Sequence, residues 1–376
     1  MLIGIITFWQ TRDNYGQILQ CYALQYILKS LGHNPFLIRY THSEVKLINN
    51  RQRLKLLINK LFSPGHTKTQ IRQKKPSSDI REFEKFKQKY ISMGDTTYHS
   101  INELRKDPPV ADAYIVGSDQ VWSKSLAFEE NKAFFLDFGS KRIKRVSYAA
   151  SFAKNKYEDK YKRSLKRLLK AFDNISVREK SGVSICQEVG YDAHLVLDPT
   201  LLLNFNIYSS EFNILHRHKN QIYVYALNIQ SPEDIFWGSI NQYANKEKLS
   251  IIVTTSSGYI NSSKIFGDIK YNNPTIPKWL ENISSSSLVV TTSFHGIVFC
   301  LLSHTPFLYV PLKGLWSQGN NRVLDLLGAL GLSDRAISGD HDFVCKSQSI
   351  INWEEIDDRL MILRENSIDF LKMSLQ

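Results

Sequence analysis

No stretch of this chain stays apolar for the ~18 residues that a bilayer-crossing helix requires. The longest candidate, Leu288 to Leu302, carries Thr-Thr-Ser-Phe-His-Gly in its middle, so any membrane contact is expected to be peripheral. Cysteine is scarce and scattered: Cys21, Cys186, Cys300 and Cys345, with no C-x-x-C pair. That argues against a disulfide framework and against a cysteine-based zinc site, and it suits the reduced thiols of a cytoplasmic protein. The apolar opening, Met1 to Trp9, has neither a basic leader nor a small-residue cleavage site, and reads as a first strand rather than a signal peptide. Absent too are G-x-G-x-x-G after that strand, G-x-x-x-x-G-K-[ST], H-E-x-x-H and G-x-S-x-G. A Rossmann dehydrogenase, a P-loop kinase, a zincin and an α/β-hydrolase therefore lose support together. Nucleic-acid motifs are missing, and the basic residues are not interleaved with aromatics in one strip. No nucleic-acid partner is expected.

What is present describes a globular chain of two domains. Its 376 residues exceed one compact core. Hydrophobic residues make up 43% and charged residues 22%, a composition that can bury a core. Lys and Arg outnumber Asp and Glu by 48 to 36, which favours anionic partners. The expected fold class is α/β, because strand and helix patterns alternate in both halves. Leu2 to Phe8, Ile18 to Leu31 and Pro35 to Tyr40 read as a βαβ opening. Further strands are expected at Ala111 to Gly117, Lys144 to Ala150, Asn174 to Arg178 and Ala193 to Leu197. In the second half they are expected at Gln221 to Leu227, Leu249 to Thr255, Ser287 to Thr292 and Thr305 to Val310. The spacing divides the chain into a Rossmann-like domain over 1–205, a second over 206–350, and a terminal helix from Trp353 to Met373. That helix has one apolar face, expected to pack back on the first domain. Residues 44–92 are rich in Lys and Arg with Pro and Ser breaks. They read as a basic insertion: either a solvated face, or a contact for an anionic acceptor or membrane surface through Arg51, Arg53, Lys55 and Lys60.

Four segments sit where strands hand over to helices, the places where doubly wound folds bind ligands. Ser293-Phe294-His295-Gly296 opens a helix whose first N–H groups have no partner and whose dipole is positive. His295 there can touch an anion and move a proton near neutral pH, or it can be a core or capping histidine. Arg178 ends an apolar strand and can grip a carboxylate or phosphate with two parallel hydrogen bonds, or pair with Glu179. In Gly117-Ser118-Asp119-Gln120, Ser118 and Gln120 offer neutral donors. Asp119 would repel a phosphate and suits a sugar hydroxyl or a local cap. Asn14-Tyr15-Gly16 ends the loop after the first strand, where backbone donors could meet a ligand and Tyr15 could stack on it.

Together these segments resemble the polysaccharide pyruvyl transferase family. The matching stretches run from Asn14 to Gln25, Val116 to Trp122, Val146 to Phe152, Ser176 to Ser181, Leu197 to Thr200 and Val290 to Gly296, followed by Asn321-Arg322. The resemblance implies two Rossmann-like domains facing a central cleft, as in two-domain (GT-B-type) glycosyltransferases. It implies phosphoenolpyruvate as donor, a sugar acceptor that is lipid- or nucleotide-linked, and a cyclic ketal as product, in surface or capsular polysaccharide synthesis. By the same resemblance His295 and Arg178 are the catalytic pair. Ser293, Gly296, Asn14, Tyr15 and Gly16 join Arg178 in binding the donor, while Ser118, Asp119 and Gln120 bind the acceptor. Family members often have an acid just before Ser-Phe-His-Gly, where this chain has Thr292.

The chemistry of the donor agrees. Phosphoenolpyruvate is an enol ether bearing a carboxylate and a phosphate; its methylene carbon must be protonated before the neighbouring carbon accepts an alcohol. That step wants an acid near neutrality, which suits His295, and cationic donors for the anions, which suits Arg178. The scheme needs no metal and no cofactor. The alternatives are a nucleotide-sugar-dependent glycosyltransferase of the same fold, located in the cytoplasm or at the inner membrane face like the first, and a non-catalytic binding protein.

Overall fold

The computed structural model describes residues 1–41, 79–215, 217–229, 231–255, 266 and 271–376. Two parallel sheets organise it. The first contains β1 (Leu2–Ile6), β2 (Asn34–Tyr40), β3 (Met93–Tyr98), β4 (Ala113–Val116), β5 (Lys144–Ala150), β6 (Asn174–Val177) and β7 (His194–Leu195), in the spatial order β3-β2-β1-β4-β5-β6-β7. The second contains β8 (Lys219–Ala226), β9 (Ser250–Thr255), β10 (Ser286–Thr291) and β11 (Phe307–Tyr309), in the order β11-β10-β8-β9. Every pairing is parallel. Strands such as β4 and β11 are buried along their whole length, as helices on both faces require. No helix among the described residues is long and apolar enough to cross a membrane.

Capping explains where the site helices begin. α1 (Tyr15–Ser30) starts at Asn14, whose side chain accepts from the Gln17 N–H, and Gly32, at φ +82°, follows its end. This start lies three residues before the expected Ile18. Basic residues hide an apolar face in α2 (Phe83–Tyr90), where Phe83 and Phe86 are buried. Within the expected basic insertion over 44–92, α2 sets Phe83 and Phe86 into the core and leaves Lys85, Gln88 and Lys89 exposed before the chain continues into edge strand β3; residues 42–78, with Arg51, Arg53, Lys55 and Lys60, lie outside the described residues.

One apolar cluster runs through both halves, joining Ile3, Leu19 and Tyr148 to Tyr223, Val289 and Phe299. At its centre the Tyr15 ring stacks on Trp279, with centroids 4.9 Å apart and planes 4° from parallel, and meets the edge of Tyr225 at 5.8 Å. The Tyr15 hydroxyl donates to the Pro274 carbonyl at 2.7 Å. Buried Arg81 spans the same seam, donating to the Thr255 carbonyl at 2.6 Å, Asn273 Oδ1 at 2.9 Å and the Asp13 carbonyl at 3.2 Å. The last helix, α12 (Trp353–Ser374), lies on the first half: Ser367 Oγ accepts from the Leu197 N–H at 2.9 Å, and Arg364 Nε donates to the Leu201 carbonyl at 2.8 Å.

This shared core predicts that Trp279→Ala costs about 3–5 kcal/mol. Urea unfolding followed by circular dichroism should show the lowered midpoint.

Candidate active site

The chain turns that leave β4, β6 and β7 bring Ser118, Arg178 and Asp198 together, all fully or nearly fully buried. Asp198 is the hub. Its Oδ2 accepts from Ser118 Oγ at 2.6 Å and from Arg178 Nη1 at 2.8 Å, and its Oδ1 accepts from the Thr200 N–H at 3.1 Å and Thr200 Oγ1 at 2.6 Å. Burial alone would raise the Asp198 carboxyl; the neighbouring His295, Arg178 and Ser118 overcome it and hold the carboxyl far below its ordinary value.

The second half supplies the other side. α9 (Phe294–Leu302) begins at Ser293, whose Oγ accepts from the Gly296 N–H at 3.3 Å. That start sets His295 Nε2 3.6 Å from Asp198 Oδ2, too far for a hydrogen bond. The imidazole lies directly over Gly16: a Cβ added there would fall within the ring, against Nδ1 and Cγ. α10 (Asn321–Leu330) brings Arg322 to the same place. The Arg178 and Arg322 guanidiniums lie 4.9 and 5.7 Å from the Phe294 ring centre. Burial, then the Arg178 charge, pulls Arg322 down to about 10, so it stays cationic at neutral pH. Asp325, also on α10, accepts from the Lys180 N–H at 2.8 Å and so ties the helix after Arg178 to the helix that carries Arg322.

Four nitrogens in this cluster are shut from solvent yet have no hydrogen-bond partner among the described residues: His295 Nε2, Arg178 Nε and Nη2, and Arg322 Nε. Buried donors without partners are rare in folded proteins. Such nitrogens on two guanidiniums and an imidazole gathered around Asp198 and Phe294 fit a ligand rich in acceptor oxygens.

Arg178 and His295, 117 positions apart in sequence, thus share one carboxylate. Other expected site residues fall elsewhere. Tyr15 is fully buried and its hydroxyl is committed to Pro274, so it belongs to the seam and not to a ligand. Ser118 is likewise enclosed and spent on Asp198, not available to an acceptor. Gly296 admits Thr291 rather than a ligand, since an added Cβ would lie 2.6 Å from Thr291 Oγ1. Asn14, Asp119 and Gln120 do line a groove at the carboxyl ends of β1 and β4. Asp119 holds a left-handed φ of +85°, its carboxylate accepting from the Gln120 N–H at 2.8 Å and Gln17 Nε2 at 3.0 Å, and standing 3.8 Å from Arg178. Turned so that its oxygen faces Arg322, the Gln120 amide accepts from Nη2 at 2.9 Å. Thr292 ties β10 to the end of β8, its hydroxyl accepting from the Leu227 N–H at 2.8 Å and donating to the Leu227 carbonyl at 2.9 Å. Asp198, Phe294 and Arg322 lay in motif segments of the sequence but carried no assigned chemistry. The available signal was an acid followed by Pro199 at a strand end and an arginine at a helix start.

The family model described as polysaccharide pyruvyl transferase matches residues 14–313. The chain belongs to that family. For this pyruvyl transferase family member, no curated protein matches. Among solved structures it is similar to a putative UDP-N-acetylglucosamine 2-epimerase from Listeria monocytogenes, at 11% identity and TM-score 0.51, covering 98% of this chain and 90% of that one. It is also similar to S. aureus MnaA in a co-structure with UDP, at 10% identity and TM-score 0.50, covering 100% and 96%. At such identities the likeness is one of fold: two Rossmann-like domains of the GT-B type.

Asp198→Asn should cost about 3–5 kcal/mol near neutral pH, because it leaves buried Arg178 without its counter-charge. Asp198 sits below its unfolded pKa of about 3.9. Its contribution is therefore complete above that pH and is lost as pH falls through the lower folded value. Urea titrations from pH 3 to 7 should show the variant losing stability least at the acid end.

Proposed function

We propose that the protein moves the pyruvyl group of phosphoenolpyruvate onto two hydroxyls of a sugar as a cyclic ketal, releasing phosphate, during synthesis of a surface or capsular polysaccharide. Beside family membership, the observation that carries this reading is the set of unpartnered donors on Arg178, Arg322 and His295. Phosphoenolpyruvate presents acceptor oxygens at both ends, and two guanidiniums beside the Phe294 ring suit a carboxylate and a phosphate on one small frame.

In this reading His295 gives a proton to the methylene carbon, which becomes a methyl group. One sugar hydroxyl adds to the adjacent carbon and loses its proton. The second hydroxyl then attacks the same carbon, the bond from that carbon to the phosphate oxygen breaks, and inorganic phosphate leaves with the remaining proton. Asp198 steadies the imidazolium charge before transfer and holds Arg178 in place; the two arginines balance the charge of the departing phosphate. Asp198 is thus a positioning group. The acceptor is a sugar carried on a lipid or a nucleotide, and the work is done at the cytoplasmic side of the membrane.

The test is incubation with phosphoenolpyruvate and a panel of lipid- and nucleotide-linked sugars. Phosphate release should match the appearance of a ketal by mass spectrometry. Nucleotide release from a sugar nucleotide, with phosphoenolpyruvate untouched, would replace this reading with the glycosyltransferase one. His295→Asn should lower kcat by about 10²-fold or more. Gly16→Ala, which removes no chemical group, should cause a loss approaching that size, because its methyl displaces the imidazole.

A further inference from the structure

Trp316 stands on the short 3-10 segment Gly314–Asn320 between β11 and α10, and is 53% exposed. It has no hydrogen-bond or ring partner among the described residues. This is not an outer face. Trp316 borders a groove of about 780 Å³ that Asn14, Gln17, Asp119 and Gln120 also line. It also borders a smaller hollow of about 200 Å³ at the carboxyl ends of β8, β10 and β11. The indole therefore lies in the cleft between the two sheets, and the larger groove has the volume of an ordinary small-molecule site.

The segment that carries it is held firmly. The Asn320 side chain closes it like a clasp: Oδ1 accepts from the Leu312 N–H at 3.0 Å, and Nδ2 donates to the Leu312 carbonyl at 2.8 Å. The Tyr309 hydroxyl of β11 donates to the same Oδ1 at 2.8 Å. At its far end Gly319 comes close to Gln120 across the cleft, and Arg322 follows two residues after the clasp. The segment that carries the indole is thus tied to β11 through Asn320 and runs directly into the helix that bears Arg322.

We infer that Trp316 is the stacking platform of the acceptor subsite, taking the apolar face of a pyranose ring while Asn14, Gln17, Asp119 and Gln120 meet its hydroxyls. A pyranose has a C–H face that loses nothing by leaving water and a rim of hydroxyls that must be satisfied. A bare indole in one groove with amide and carboxylate side chains matches both demands. The chemistry of the groove also separates the two substrates. The unpartnered cationic donors belong to the Arg178–Arg322 cluster, whereas the groove that Trp316 borders carries amides, the Asp119 carboxylate, the Ser123 hydroxyl and one lysine, Lys124, that is itself engaged, a mixed set of donors and acceptors that suits a polyol. The inference rests on the pyruvyl-transfer reading only for which hydroxyls react, not for the binding of the sugar.

Saturation-transfer NMR on the full chain, with p-nitrophenyl and methyl glycosides of galactose, glucose, mannose and N-acetylglucosamine, tests this directly. At least one glycoside should bind with its ring C–H protons in closest contact. Trp316→Ala should weaken that binding about 10-fold or more, and Trp316→Phe should restore most of it. Phosphoenolpyruvate binding should stay within about twofold of the native protein. In turnover, the acceptor KM should rise while kcat at saturation changes little. Unchanged glycoside affinity in Trp316→Ala, or no glycoside binding by the native chain, overturns the inference. So does a Trp316→Ala variant whose only defect is loss of self-association. Glycoside binding that depends on Trp316, with no consumption of phosphoenolpyruvate, upholds the platform and removes the pyruvyl-transfer reading instead.

Discussion

A carboxylate with no access to water survives only where its charge is matched, and Asp198 is matched from both halves of the molecule. Ser118 and Arg178 reach it from the first sheet, and His295 faces it from the second. Everything distinctive about the site follows from that pairing. Arg178 spends one nitrogen on Asp198 and Ser118 and leaves Nε and Nη2 without a hydrogen-bond partner among the described residues. His295 gains a negative neighbour without a hydrogen bond that would consume its Nε2. A neutral side chain at position 198 would leave a buried guanidinium to drift and an imidazole without an electrostatic partner. The carboxylate therefore sets both the stability of the junction and the direction in which its donors point.

The arrangement is held by contacts that carry no charge. Gly16, on the first turn of α1, lets the imidazole settle against the backbone, and Gly296, on the first turn of α9, lets that helix settle against Thr291. The first missing Cβ brings the start of α1 against His295 of the other half, and the second seats α9 on its own strand β10. The Asn14 and Ser293 caps fix where those helices begin, and with them the positions of everything that follows in each turn.

Much of this was legible in the amino-acid order. β5 and β9 lie where periodicity puts them, because each has a regular apolar pattern. Arg178 and His295 stood out because a polar residue at the end of an apolar strand has few structural excuses. Edge strand β3 did not stand out: Met-Gly-Asp-Thr-Thr-Tyr is half exposed and carries little apolar signal. α2 was obscured because its aromatic face sits among lysines. The roles of Asp198 and Arg322 were invisible for another reason. Each is defined by partners far away in sequence, and local pattern holds no record of such pairings. Tyr15 was misread in the same way, since nothing local says whether the first residue of a helix faces a ligand or a neighbouring domain.

The stack of Tyr15 on Trp279 has a dynamic consequence. Many two-domain proteins exchange ligands by swinging apart on a hinge. Here such a swing would part Tyr15 from Trp279 and Tyr225, while Trp279 keeps Tyr225 and Phe299 and Tyr15 keeps Phe83. At about 25 cal/mol per Å², baring only the shared ring faces, on the order of 100 Å², would cost roughly 2–3 kcal/mol, to which the broken Arg81 hydrogen bonds across the seam add. That load tilts the population toward the closed molecule and leaves local movements of side chains and short loops as the less costly way for a ligand to pass.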